Sequence, residues 1–223
     1  MNLNYLAKLK NNLPAVPGIL RKEEYFNSSV LIPLVPVNDE YFFLFEKRAA
    51  GIRQGGEICF PGGEVEDTDE DVIKTAVRET VEELGVNKND IQIIGRLDTL
   101  VGPIGVTVDS AIAILKIDDV KTLPIDTNEV EKLFILPVSY FEENPPERFK
   151  LNMQVHSTMK DENGIEVELF PVKELQLPEK YHKPWNAGNP GVLVYRTGKG
   201  VIWGITASLI FEVIRKLKLK NSS

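Results

Sequence analysis

An α+β fold is predicted for this 223-residue chain by three features. Strand-like and helix-like segments are mixed without regular strand–helix alternation. No internal repeat breaks the chain into copies, and 43% hydrophobic residues supply a sizeable core, as one large domain or two small ones.

The elements follow in order. Residues 2–13 read as a short helix with Leu3, Leu6 and Leu13 among polar positions, broken by Pro14, Pro17 and Gly18. Ser29–Val37 and Tyr41–Phe45 read as strands around a turn at Asn38-Asp39, and Glu57–Phe60 as a short strand after a loop at Gly51–Gly56. Pro61-Gly62-Gly63 reads as a sharp turn or a close approach of backbone. A helix is expected from near Glu70, capped by Thr68 or Asp69, with Val72, Ile73, Ala76, Val77, Thr80, Val81 and Leu84 buried and Gly85 as its stop. Strands are expected at about Ile91–Leu97, Val108–Ile117 and Leu133–Leu136. Phe149–Val155 and Val167–Phe170 are expected to pair across Asp161–Gly164, Tyr181–Pro190 to form a loop, and Thr206–Leu219 a final amphipathic helix.

Charge and cysteine content narrow the function. A net charge of −7 argues against a general binder of nucleic acid or anionic membranes, which carries a basic surface. It leaves room for a phosphate-bearing small molecule, because a bound divalent cation reverses the local field. The single cysteine, Cys59, excludes an internal disulfide and a cysteine zinc site. No early apolar run resembles a signal peptide, no apolar run reaches 18 residues, and Asn221-Ser222-Ser223 is not the peroxisomal Ser-Lys-Leu signal; a cytoplasmic protein is expected.

The most informative segment is GEVEDTDEDVIKTAVRETVEELGV, Gly63 to Val86. On a helix, Glu79 and Glu83 project about 40° apart, and Glu82 lies about 60° farther round from Glu79. Like charges at these spacings repel by a few tenths of a kcal/mol. The cluster is comfortable only when solvated, paired or holding a cation.

The segment resembles the Nudix box, G-x5-E-x7-R-E-U-x-E-E-x-G-U with U a bulky aliphatic residue. Glu70, Arg78, Glu79, Glu82, Glu83, Gly85 and Val86 fall in register. Six residues rather than five separate Gly63 from Glu70, and Thr80 stands at the first U. The lead-in KRAAGIRQGGEICFPGG, Lys47 to Gly63, resembles the signature of the coenzyme A diphosphatases of that superfamily, with Arg48, Ala49, Arg53, Gly56 and Phe60-Pro61-Gly62-Gly63 matching and two residues instead of three between Arg53 and Gly56. Ile202–Ala207 is similar to the C-terminal part of the same subfamily.

The resemblance implies a Nudix-type sandwich of a mixed β-sheet between helices, with residues 1–28 as an N-terminal helical extension, 29–223 as the domain and an insertion at about 145–200. It implies magnesium or manganese held by Glu79, Glu82, Glu83 and the Gly63 carbonyl, with Arg78 paired to Glu70 or Glu82 as a supporting residue. Glu129 could extend the metal site or act as base; a solvated turn acid is the other reading. Lys47, Arg48 and Arg53 are candidate phosphate ligands or ordinary surface cations. His156 and His182 are isolated, Cys59 has no activating base, and Tyr181, Trp185 and Trp203 read as packing aromatics or adenine platforms.

The expected activity is hydrolysis of the diphosphate of coenzyme A or an acyl-CoA. ADP-ribose, a dinucleotide or a sugar nucleotide is an alternative substrate, and a non-catalytic nucleotide sensor an alternative role. The expected partner is a small nucleoside diphosphate derivative, with no nucleic acid or membrane, and a homodimer through the N-terminal segment or residues 145–200.

Overall fold

The computed structural model describes residues 3–103 and 105–219; Asn2, expected from the sequence to open the first helix, and the tail Asn221–Ser223 lie outside them. Helix α1 (Leu3–Asn12) leads by a turn of 3-10 helix into the central sheet. The sheet contains β1 (Phe26–Val37), β2 (Glu40–Arg48), β3 (Ile58–Cys59), β4 (Gly62–Glu64), β5 (Ile91–Arg96), β6 (Leu100–Gly102), β7 (Val106–Leu115) and β8 (Val130–Pro137). Its main path runs β3-β2-β1-β7-β5, with β8 also on β2, β4 on β1 and β6 on β7. Among the described residues only the β1–β7 pair is parallel, so the sheet is mixed.

Leu31 and Ile32 are consecutive and both fully buried, which identifies β1 as a strand covered on both faces. Period-two alternation sends Leu31, Leu44, Ala111 and Ala113 to one side, against Ala76 and Leu84 of α2 (Val72–Leu84). Ile32, Phe43 and Phe45 face the other side, against Phe141 of α3 (Val138–Glu143) and Leu209, Ile210 and Val213 of α4 (Gly204–Leu217). The sheet is thus sandwiched between helices.

The hairpin between β1 and β2 turns on Asn38 and Asp39, both left-handed at φ 47° and 65°. Two positive-φ residues in a two-residue loop match the strand twist, and Asn and Asp tolerate that conformation well. Elsewhere the structure corrects the sequence expectations. Helix α2 starts two residues later than Glu70 because Asp71, rather than Thr68 or Asp69, caps it; its carboxylate accepts the N–H groups of Ile73 (2.7 Å) and Lys74 (3.0 Å). Gly62 and Gly63, expected in a turn, lie in β4 and pair antiparallel with Ser29 and Val30.

Residues 147–203 differ most from expectation. The turn Asp161–Gly164 joins β11 (Thr158–Lys160) to β12 (Glu166–Glu168), not Phe149–Val155 to Val167–Phe170. The segment 149–155 instead divides between β9 (Glu147–Lys150) and β10 (Met153–Val155), which pair with β14 (Gly191–Thr197) and β13 (Trp185–Gly188). Strand β15 (Gly200–Trp203) completes a three-stranded sheet with β14 and β9 and leads into α4.

One packing contact positions everything that follows. Phe60 is buried with its ring stacked on Phe45 (centroids 4.9 Å, planes 17° apart) and 5.9 Å from Phe43. It pins the chain immediately before the Pro61-Gly62-Gly63 segment. Phe60→Ala is expected to lower stability by about 3–5 kcal/mol, and Phe60→Leu by less, in urea unfolding followed by circular dichroism.

Candidate active site

Helix α2 runs alongside β4, and glycine permits the approach. A Cβ at Gly63 would come within 2.4 Å of the Glu79 carboxylate, and one at Gly62 within 2.4 Å of the Ser29 carbonyl oxygen. The Gly62 N–H donates to Glu83 Oε2 at 2.9 Å, fixing that carboxylate and leaving Oε1 free of backbone donors. Glu83 is 2% exposed, although its neighbour Glu82 faces solvent. Thr80, at the position where an aliphatic residue is usual, is also buried and donates its hydroxyl to the Ala76 carbonyl at 2.6 Å.

Arg78 collects the acids of the outer side. Its Nη1 donates to Glu79 Oε1 (2.8 Å) and Glu82 Oε2 (3.2 Å), and its Nη2 to Asp69 Oδ2 (3.0 Å) and the Glu64 carbonyl (3.3 Å). The expected pairing with Glu82 is present. The pairing with Glu70 is not: Glu70 engages Lys74 one helical turn on, and Asp69 takes the place of the first box acid. The sequence does not single out Asp69 as a site acid, yet it is the residue separated from Gly63 by the five intervening residues of the box pattern. The hydrogen bond from Arg78 lowers its carboxyl from 3.8 to about 2.

The inner side is closed by β2 and β3. Glu46 is fully buried, and its Oε1 accepts the Cys59 thiol at 3.1 Å while its Oε2 has no partner among the described residues. The Arg48 guanidinium stands 3.5 Å from Glu46 Oε1 and 3.7 Å from Glu83 Oε1. Burial, then the proximity of other carboxylates, pushes the Glu46 and Glu83 carboxyls upward; burial likewise raises Glu79. Burial and the Glu46 charge also raise the Cys59 thiol, which keeps it protonated and unlike a nucleophile. Glu46 was missed in the sequence; its signal is an acid continuing the apolar run Phe42–Phe45, in phase with inward-facing Leu44.

The other candidate residues separate clearly. Asp126 N–H donates to the Glu83 carbonyl (3.0 Å) and Ala49 N–H to the Glu129 carbonyl (2.8 Å), which docks the loop carrying Glu129 onto the site. The Glu129 charge contributes to raising Glu46 and Glu79. Lys47 is engaged by Glu131 at 2.7 Å. Arg53 is exposed, with its guanidinium 5.1 Å above the Phe26 ring. The short spacing after Arg53 is absorbed by left-handed Gln54 and Gly56, with Gly55 too close to the Ala50 carbonyl for any Cβ. His182 contacts the Leu177 carbonyl, Tyr181 and Trp185 pack edge to face, and His156 and Trp203 are exposed.

The sequence pattern of the NUDIX domain matches residues 26–188. The chain belongs to the Nudix family. A peroxisomal coenzyme A diphosphatase of Caenorhabditis elegans, ndx-8, is 40% identical over 94 residues, 41% of this chain and 39% of the relative. The human mitochondrial coenzyme A diphosphatase NUDT8 is 33% identical over 116 residues, 51% and 49% of the two chains. The chain thus spans about half or less of the length of these relatives. A Nudix hydrolase of Photorhabdus laumondii, NudL, is 28% identical over 97% of both chains. Among solved structures, a MutT/nudix family protein from Enterococcus faecalis has the same fold, with a TM-score of 0.50 at 15% identity over 97% of this chain and 70% of that one. Among the described residues no helix is long and apolar enough to cross a membrane.

Because the folded Asp69 carboxyl is depressed, its pairing with Arg78 contributes stability above about pH 4 that is lost as pH falls toward 2. Asp69→Asn is therefore expected to cost on the order of 1 kcal/mol at pH 7. The difference from wild type is expected to vanish near pH 2, as measured by urea unfolding across that range.

Proposed function

We propose that this chain is a divalent-metal-dependent Nudix diphosphatase that cleaves coenzyme A or an acyl-CoA at the diphosphate, giving 3′,5′-ADP and (acyl-)phosphopantetheine. The observation that carries the reading is the juxtaposition of the Gly62–Gly63 backbone with Glu79 and Glu83. Among the described residues Arg78 holds Glu79 and Glu82, Arg48 stands near Glu83, and no three acidic, histidine or cysteine ligands converge on one point. The donor chemistry nonetheless fits a hard cation: carboxylates of Glu79, Glu82 and Glu83 and the Gly63 carbonyl offer oxygen alone. When bound, magnesium or manganese supplies charge neutralisation on the diphosphate and a more acidic water.

The chain's own residues do the rest. Gly62 orients Glu83, Arg78 orients Glu79 and Glu82, and both fix the acids before substrate arrives. Glu129 is the candidate acceptor of the water proton, since its loop is docked beside Glu79 and Glu46. Coenzyme A carries a 3′-phosphate away from the diphosphate, and exposed Arg53 over Phe26 suits it. Arg48, deep among carboxylates, suits the diphosphate side, and Lys47 is the weaker candidate because Glu131 engages it. The match of Arg48 to Gly63 with the subfamily signature supports this substrate, as do the names of the two diphosphatase relatives. The short Arg53–Gly56 spacing favours the second reading, in which ADP-ribose or a dinucleotide is the substrate.

Two measurements test the reading. Glu83→Gln is expected to leave the fold intact and to lower kcat at saturating magnesium by more than the roughly 10–100-fold typical of an outer-shell change. Wild-type turnover in the variant excludes Glu83 as a ligand. For substrate, kcat/KM is compared for coenzyme A, 3′-dephospho-CoA and ADP-ribose at one magnesium concentration. A preference of about tenfold for coenzyme A over the dephospho form corresponds to roughly 1.4 kcal/mol of transition-state discrimination. Equal or faster turnover of ADP-ribose overturns the substrate and leaves the diphosphatase chemistry standing.

A further inference from the structure

A buried carboxylate with one oxygen unpartnered, lying behind the acids of the box, is the feature of the site that its family pattern does not explain. Glu46 is fully buried on β2, two residues before Arg48 and on the same strand face. Isolated buried charges are costly, and a partner cation offsets that cost only where it is held close. Among the described residues the only cation near Glu46 is Arg48, whose guanidinium also stands 3.7 Å from Glu83. Its Nε donates to the Arg53 carbonyl at 3.2 Å, so the side chain is held at its neck as well as at its tip. One cation thus stands between two carboxylates, at distances longer than direct hydrogen bonds.

We infer that Glu46 is a positioning residue, which holds the Arg48 guanidinium back from Glu83 so that Glu83 Oε1 stays available to a cation. The inference rests on the proposed metal site and adds a residue to its support. Without the Glu46 charge, no other carboxylate among the described residues of β2 and β3 competes with Glu83 for Arg48. The guanidinium then closes on Glu83 Oε1 and occupies the oxygen that a divalent cation needs. Cys59 assists by donating to Glu46 Oε1, which fixes the carboxylate on the strand. The effect of Glu46 passes through Arg48, which separates this role from that of a further metal ligand or of a purely structural acid.

The test is a double-mutant cycle read by manganese binding, without substrate or turnover, using the full chain and titrating Mn2+ by electron paramagnetic resonance. Glu46→Gln is expected to weaken Mn2+ binding about tenfold, the lower end of outer-shell effects. In an Arg48→Met background the same substitution is expected to change Mn2+ affinity less than about twofold, because the residue it acts through is gone. An equal loss in both backgrounds overturns the inference in favour of direct action on the cation, and no loss in either overturns it in favour of a structural acid. Should Arg48→Met not fold, the Arg48 Nε–H resonance of 15N-arginine-labelled protein decides instead. It is expected to shift in Glu46→Gln, and an unchanged resonance overturns the inference. Wild-type Mn2+ binding that survives Glu83→Gln undiminished overturns the metal site itself, an outcome distinct from failure at Glu46.

Discussion

The close approach of the β4 backbone to helix α2 is the constraint on which the site depends. Gly63, without a Cβ atom, lets the strand lie against the Glu79 carboxylate, while Gly62, whose Cβ would strike the Ser29 carbonyl and Val30 of β1, keeps the strand close to β1 and donates its N–H to Glu83. That approach has supports on both sides. Phe60 fixes the chain before the glycines in the aromatic core, and pairing of Gly62–Glu64 with β1 fixes it after them. On the helix, Asp71 sets the start and left-handed Gly85 the end, where a Cβ would meet Pro124 at 2.6 Å. The acids are therefore placed by rigid elements on either side and not by a flexible loop.

Electrostatics divides the cluster into an outer and an inner half. Outside, Arg78 binds Asp69, Glu79 and Glu82 where water still screens the charges. Inside, Arg48 faces Glu46 and Glu83, both nearly removed from solvent, where each charge weighs far more. Glu79 lies between the halves, half-buried and touched by Arg78. The two arginines are not equivalent: one gathers acids at hydrogen-bond distance, the other stands off from them.

The fold class and the carboxylates of α2 were legible because long periodic segments carry strong signals. The apolar runs of β1, β2 and β7 and the spacing of Arg78, Glu79, Glu82 and Glu83 belong to regular elements several turns or residues long. Asp69 was obscured because the irregular chain between β4 and α2 obeys no period, and two neighbouring acids compete for one role. Glu46 was obscured because a buried acid in a strand has no local pattern; its meaning comes from Cys59 and Arg48 across and along the sheet. Residues 147–203 were misread because their strands are three to seven residues long, largely exposed, and paired with segments about forty positions away. Turn residues predicted the Asp161–Gly164 reversal but not which strands flank it.

The parallel pairing of β1 with β7 bears on how the chain reaches this structure. Asn27 and Thr107 are ladder partners although 80 positions apart, and the entire acid-bearing helix lies on the crossover between them. Long-range pairing of this kind forms slowly, because the loop-closure entropy precedes the contacts that offset it. The β1–β2 hairpin and helix α2 need only local contacts and can form first. The glycine strand, by contrast, has β1 on one side and α2 on the other, so its place is defined only once these have docked. Assembly of the carboxylate cluster thus requires β1, β4 and α2 to have docked, and a nascent chain that has emerged only through α2 still lacks the loop carrying Glu129 that closes over the Glu83 and Ala49 backbone.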